Sequence, residues 1–112
     1  MPKSPTPIET YLSPLTKLAL KHPEVEAEVI WADGADWEPQ SGTDALLEAE
    51  EIPFYAEGLL LEGFHMHYQI LAEPDDPKSP AHVRLFFWQA ATPALPQPEP
   101  ELTLIASATW PT

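Results

Sequence analysis

Cysteine is absent from this chain, and glycine and basic residues are scarce. The lack of cysteine excludes a disulfide framework and a zinc site built on thiolates. Four glycines leave no glycine-rich loop of the kind that cradles phosphates. No apolar run approaches the ~18 residues of a membrane helix, and the first residues lack the apolar core of a signal peptide. We therefore expect a cytoplasmic protein that needs no cofactor and contacts no membrane.

The second scarcity is of positive charge. Lysine and arginine number five against eighteen aspartates and glutamates, so the formal net charge is −13. This charge opposes binding to nucleic-acid phosphates and attracts basic proteins, most strongly at low salt. The sequence therefore predicts a basic protein partner and no direct contact with nucleic acid. A DNA mimic, whose carboxylates imitate phosphates, is one form of this hypothesis, and acidity that serves only solubility or salt adaptation is the alternative.

The length and composition predict one domain over residues 1–112. An apolar fraction of 44% is typical of a folded chain, and this length is enough for one hydrophobic core. We expect residues 1–5 to form a flexible arm. Residues 92–101 hold four prolines, so we expect an extended loop on the surface.

The centre of the predicted fold is a β-hairpin around the connector at residues 74–80. Its flanks, FHMHYQILAE and AHVRLFFWQA, alternate in polarity and are rich in aromatic and β-branched residues. The connector holds three prolines and two aspartates, which end both strands. One antiparallel register makes a face wholly apolar. It sets these residues opposite each other: Met66 and Phe87, Tyr68 and Leu85, Ile70 and Val83.

The other face of this hairpin is polar but carries two large aromatic side chains. It holds, in the same register, His65, His67, Arg84, Phe86 and Trp88. An aromatic patch rimmed by polar groups is typical of an interface, and Trp and Arg are frequent at binding hot spots. We therefore predict a partner-binding surface here, covered by a basic protein or by a second copy of the chain in a homodimer. A Trp88 buried within the monomer would contradict this prediction.

The histidines of that face suggest an alternative function. Two histidines at i and i+2 on a strand can share a metal ion, and His82 could complete a set with His65 and His67. A small-ligand or metal-binding domain is therefore the alternative to an interaction module. Simple alternation on a polar sheet face gives the same pattern, so we expect no metal.

The N-terminal region predicts one helix. Thr6 to Glu9 form a capping box with proline at the first helical position, and Pro23 ends the helix. Pro14 lacks an N–H and should kink it. An apolar stripe recurs at helical spacing: Ile8, Leu12, Leu15, Leu18 and Ala19.

The remaining segments predict further strands. Val25 to Trp31 alternates, and Asp33-Gly34 is a hairpin turn signal before a short return strand over residues 35–38. Residues 54–61 and 102–110 also read as strands, the last with Leu102, Leu104 and the alternate residues after them facing inward. Residues 39–53 are less determined, with a short helix over residues 44–51 as one interpretation.

The densest acidic run of the chain lies within residues 39–53. It includes Glu48, Glu50 and Glu51, which we assign to the surface that meets a basic partner.

These patterns predict an α+β fold. Its N-terminal helix, kinked at Pro14, packs on an antiparallel sheet of about four to six strands. No serine lies in a nucleophile elbow, so we expect no enzyme. The predicted function is a non-catalytic acidic interaction module of the inhibitor, adaptor or immunity type.

Overall fold

The computed structural model of the chain describes residues 6–33, 36–39, 46–89 and 94–111. Along them run two α-helices, α1 (Pro7–Lys21) and α2 (Ile52–Leu61), with a 3₁₀ turn at Ala49–Glu51 before α2. The strands are β1 (Glu26–Asp33), β2 (Asp36–Pro39), β3 (Leu46–Glu48), β4 (His65–Ala72), β5 (Pro80–Trp88) and β6 (Thr103–Trp110). The predicted α+β class is confirmed. Within these residues neither helix is long and apolar enough to cross a membrane.

The six strands form one mostly antiparallel sheet in the order β2-β1-β5-β4-β6, with β3 also paired to β1. Only β1 and β5 run parallel among these pairs. A parallel pair needs a long crossover rather than a tight turn. The chain between β1 and β5 supplies one, since it includes α2 and β4.

The predicted register of the central hairpin is confirmed. Met66 lies opposite Phe87, Tyr68 opposite Leu85 and Ile70 opposite Val83. All six side chains are buried in the main core, under the two helices. The opposite register would have placed Arg84 and His82 in this core without partners, at a large desolvation cost.

The Thr6 N-cap and the apolar stripe predicted for α1 are confirmed. The Thr6 hydroxyl accepts a hydrogen bond of 3.1 Å from the Glu9 backbone N–H, and the helix continues through Pro14 to Lys21. Leu12, Leu15 and Leu18 are buried, while Ile8 and Ala19 pack half-buried at the edge of the core.

Tyr11 fixes α1 to the sheet. Its hydroxyl lies 3.0 Å from the Ala108 carbonyl oxygen in β6 and 3.4 Å from that of Met66 in β4, and can donate to either. Its ring packs against Tyr68 and Trp110. Burial, with a smaller contribution from Tyr68, raises the pKa of Tyr11 above its ordinary value, so the hydroxyl remains a donor.

The strand predicted over residues 54–61 is wrong, because this segment is helix α2. Pro53 stands in the first turn, where a missing N–H is tolerated. Gly63 has φ of 99° and ends the helix, with the Phe64 N–H bonded to the Leu59 carbonyl oxygen at 3.1 Å. Apolar residues on every side of this segment hide the helical period. The helix suggested over residues 44–51 is also wrong for residues 46–51, which form β3 and the 3₁₀ turn.

Strand β6 departs from strict alternation near its start. Ala106 pairs with Ile70 but Leu104 pairs with Leu71, so Ile105 is an extra residue at a bulge. The bulge turns Leu104 away from the main core, where the sequence placed it, and leaves it 40% exposed. Ala106, Ala108 and Trp110 face the main core as predicted.

The core position of Leu18 gives a direct test of the α1 stripe. Leu18 is 5% exposed whereas Leu20, two residues later, is 80% exposed. We expect Leu18→Ala to lower the free energy of unfolding by about 2–5 kcal/mol, because it leaves a cavity, and Leu20→Ala to change it by less than about 0.5 kcal/mol. Urea titration followed by circular dichroism measures both. Equal effects of the two variants would contradict the packing of α1.

Candidate functional site

The surface predicted from His65, His67, Arg84, Phe86 and Trp88 is covered by the chain itself. Trp37 of β2 lies over it, with its ring 5.3 Å from Phe86 and 5.8 Å from Trp88 between centroids. The indole N–H of Trp37 donates to the Ala94 carbonyl oxygen at 3.0 Å. Strand β2 therefore covers part of this face of the sheet, which we call the second face.

Residues 94–99 of the proline-rich loop, here called the proline-rich segment, complete this cover. Gln69 donates through Nε2 to the Pro96 carbonyl oxygen at 2.8 Å, and Arg84 donates to that of Gln97 at 3.5 Å. Glu99 lies 3.9 Å from Arg84 Nε, an ion pair at the margin of this cover. The segment expected to be only a surface loop thus holds the second face through its backbone carbonyls.

The predicted partner-binding surface is therefore wrong at its aromatic centre. Trp88 is 4% exposed and Phe86 is fully buried in the monomer, so a partner cannot reach either without opening the fold. His65 stacks on Trp88 at 5.6 Å, and Arg84 lies 4.9 Å from the ring centroid of Phe86. The sequence identified the aromatic cluster correctly, but its cover is intramolecular.

His67 is part of a buried hydrogen-bond chain. Arg84 donates to Gln69 Oε1 at 3.3 Å, which makes Gln69 Nε2 the donor toward Pro96 and toward His67 Nε2, 3.4 Å away. His67 Nε2 must then be the acceptor, so Nδ1 carries the proton and donates to Thr109 Oγ1 at 2.8 Å. Burial lowers the pKa of His67, which favours this neutral form.

The three histidines do not form a metal site. His67 lies opposite Phe86 whereas His82 lies opposite Leu71, four residues further along β4, a separation of about 13 Å. Both ring nitrogens of His67 already have partners. No group of three or more metal-ligating side chains occurs among the residues described. The alternative set of His65, His67 and His82 is wrong in its geometry.

A different surface stands out between the two helices. A groove of about 810 Å³ runs between α1 and α2 on the side away from the sheet. Its apolar lining comes from Leu12, Ala19 and Leu20 of α1 and from Pro53 and Phe54 of α2. Phe54 and Leu20 are each 80% exposed, the highest values among the large apolar residues described.

Carboxylates line the same groove. Glu9, Glu50 and Glu57 are among its lining residues, and no lysine or arginine is. Phe54 and Glu50 also line an adjoining concavity with Glu51, Leu47 and Tyr55, so Phe54 stands between two hollows. We call this surface, with its centre at Phe54, the helical groove.

The acidic run predicted to meet a partner lies partly at this groove. Glu50 and Glu51 line its hollows. Glu51 Oε1 also accepts a hydrogen bond from the Glu48 backbone N–H at 3.0 Å, which stabilises the start of the 3₁₀ turn. Sequence reasoning missed Phe54, because reading residues 54–61 as a strand concealed which side of Phe54 faces water. It also missed Leu20, which lies in α1 outside the predicted apolar stripe. Proline at position 53, typical of a first helical turn, was the available signal.

The neutral state of His67 predicts a pH dependence of stability. Its folded pKa is below the ordinary value of about 6.5, so the stabilisation is complete above pH ~6.5 and is lost as the pH falls toward the folded pKa. One proton accounts for a slope of at most about 1.4 kcal/mol per pH unit. We expect His67→Gln to flatten the wild-type slope between pH 6.5 and pH 5, as measured by urea titration.

His65→Gln is the matched control, since it removes a histidine from the same strand outside the buried chain of hydrogen bonds. The slope should persist in this variant. If His67→Gln keeps the full slope as well, the loss of stability comes from other groups.

Comparison of the chain with known protein families, with characterised proteins and with solved structures finds no match. The functional interpretation therefore depends on the geometry and charge of this chain alone. The helical groove is the surface on which it rests.

Proposed function

We propose that this chain is a non-catalytic acidic interaction module whose helical groove binds a basic amphipathic helix of another protein. The observation that carries the proposal is Phe54, a large aromatic side chain that is 80% exposed inside a groove lined with carboxylates. Isolated exposed apolar residues are ordinary, but a grouped patch with a polar rim is typical of a binding surface.

The shape of the groove supports a helical partner. Two packed helices present an open channel, and an amphipathic helix can lay its apolar face into such a channel through residues spaced i, i+3, i+4 and i+7. Phe54 and Leu20 would contact that apolar face from α2 and α1 respectively. A partner that covers them removes from water the apolar area that the monomer leaves exposed.

The charge supports a basic partner. Glu9, Glu50 and Glu57 surround the apolar residues, and the whole chain carries −13. Lysines or arginines flanking the apolar face of the partner would meet these carboxylates. Such pairs at a solvated rim add specificity and speed of encounter more than affinity, and salt weakens them.

The other functions predicted from the sequence receive less support. A histidine-based ligand site has no free face, because the second face of the sheet is filled by Trp37 and the proline-rich segment. The DNA-mimic form of the hypothesis, the non-catalytic role and the cytoplasmic location stay predictions. Each is compatible with a groove that receives a basic protein.

The test uses a fluorescent peptide of leucine and lysine designed as a cationic amphipathic helix, with a scrambled peptide of equal composition as its control. We expect Phe54→Ala to weaken binding of the amphipathic peptide about tenfold in an anisotropy titration, as for a moderate hot spot. Leu61→Ala is the matched control, because Leu61 is 70% exposed on the same helix but outside the groove. It should leave the affinity unchanged.

A second pair of variants tests the rim. Glu50→Gln should weaken binding and reduce its dependence on salt, whereas Glu62→Gln, at an exposed residue outside the groove, should do less. Equal binding of the scrambled peptide, or equal losses with Phe54→Ala and Leu61→Ala, would contradict the groove as the binding surface.

A further inference from the structure

The two edges of the sheet are built differently. One edge is divided between β2 and β3, which have four and three residues. The β2 edge also carries Asp36, Glu38 and Pro39. Short strands, charges and proline are the features by which proteins prevent an edge from pairing with another chain. The other edge, β6, has eight residues, TLIASATW, with neither charge nor proline.

Only one side of β6 has a partner in the part of the chain that the structure describes. β4 pairs with it from Thr103 to Trp110, and the opposite side ends the sheet. The bulge at Ile105 interrupts regular geometry near the start of the strand, which itself discourages pairing there. Residues 106–110 lie beyond the bulge and offer five consecutive residues of regular edge.

We infer that β6 pairs antiparallel with β6 of a second copy of this chain, about a two-fold axis near Ala108. In such an arrangement the same patch serves both copies. Ala106, Ser107 and Ala108 are small and stand near the axis, where side chains from the two copies lie closest. The result is one sheet that continues across both molecules.

The distribution of carboxylates favours this edge for self-association. Two copies that each carry −13 repel, so a stable contact must keep carboxylates apart. No aspartate or glutamate occurs between residues 102 and 112, and Glu101 of one copy would fall beyond the end of β6 in the other. The β2 edge would instead bring Asp36 and Glu38 of both copies together.

Exposed apolar residues on β6 add to this argument. Leu104 is 40% exposed and Ile105 39% exposed. Antiparallel pairing near Ala108 places them beside the C-terminal end of β6 in the second copy. These contacts would cover apolar area that the sheet and helices of a single copy leave in water.

Sedimentation equilibrium of the full chain tests this inference. A single strand pair buries little area, so we expect a weak dimer with a dissociation constant on the order of 0.1–1 mM. Raising the salt from ~0.02 M to ~0.5 M should tighten it at least about fivefold, because screening reduces the repulsion. This sign is opposite to that expected for a basic peptide in the helical groove.

Ser107→Glu places two carboxylates near the axis and should weaken the dimer more than about tenfold. Ser107→Thr keeps the position neutral and should preserve it. Gln89→Glu adds the same charge at an exposed residue outside β6 and should have a much smaller effect. Circular dichroism of each variant checks that the monomer remains folded.

The outcomes separate this inference from the proposed function. Phe54→Ala should leave the dimer unchanged, because the groove lies on the helical side of the molecule. A monomer at millimolar concentration in ~0.5 M salt would overturn the inference. Equal dimerisation of Ser107→Glu and Ser107→Thr would also overturn it. A dimer that is lost in Phe54→Ala and kept in Ser107→Glu would overturn it as well, because that result would assign the contact to the groove.

Discussion

Strands β4 and β5 carry buried side chains on both faces, and most of the structure follows from the need to cover each face. Val83, Leu85 and Phe87 point to one side of the sheet and Phe86 and Trp88 to the other, all of them buried. Two helices can cover only one side, and in a two-layer α+β fold the second side commonly faces water. Here Trp37 and the proline-rich segment form a thin third layer. Its cohesion comes from carbonyl oxygens of that segment, which accept hydrogen bonds from Trp37, Gln69 and Arg84.

The features that could be predicted from the sequence are those set by local rules. The β4–β5 register follows from alternation, because a slip of one residue would bury Arg84 in the main core. The start of α1 follows from Thr6 and Pro7. The parallel pairing of β1 with β5 and the route of residues 94–99 depend on contacts between distant parts of the chain, which no local pattern encodes. Helix α2 was missed because its apolar residues surround its axis, which removes the periodicity that separates a helix from a strand.

The misplaced binding surface shows what residue types can and cannot indicate. Trp, Arg and His are frequent at interfaces, and they are equally suited to an internal polar network under a thin cover. Arg84, Gln69, His67 and Thr109 form such a network, in which Arg84 donates to Gln69, Gln69 to His67 and His67 to Thr109. Whether the aromatic cluster meets a partner or the same chain depends on where Trp37 and Pro96 lie. Both are distant in sequence, so burial could be learned only from the structure.

Helix α2 has apolar residues around its axis, and some of them remain exposed. A helix with apolar residues all around usually packs on more than one side. Ile52, Ala56 and Leu60 face the main core and are buried, which accounts for one side of α2. Phe54 and Leu61 point elsewhere and remain exposed, although substituting polar residues for them would leave that core intact. They are apolar exceptions on the surface of a chain whose formal net charge is −13. The carboxylates nevertheless line the groove around Phe54, and an apolar centre with an acidic rim matches a helix that is apolar on one face and basic beside it.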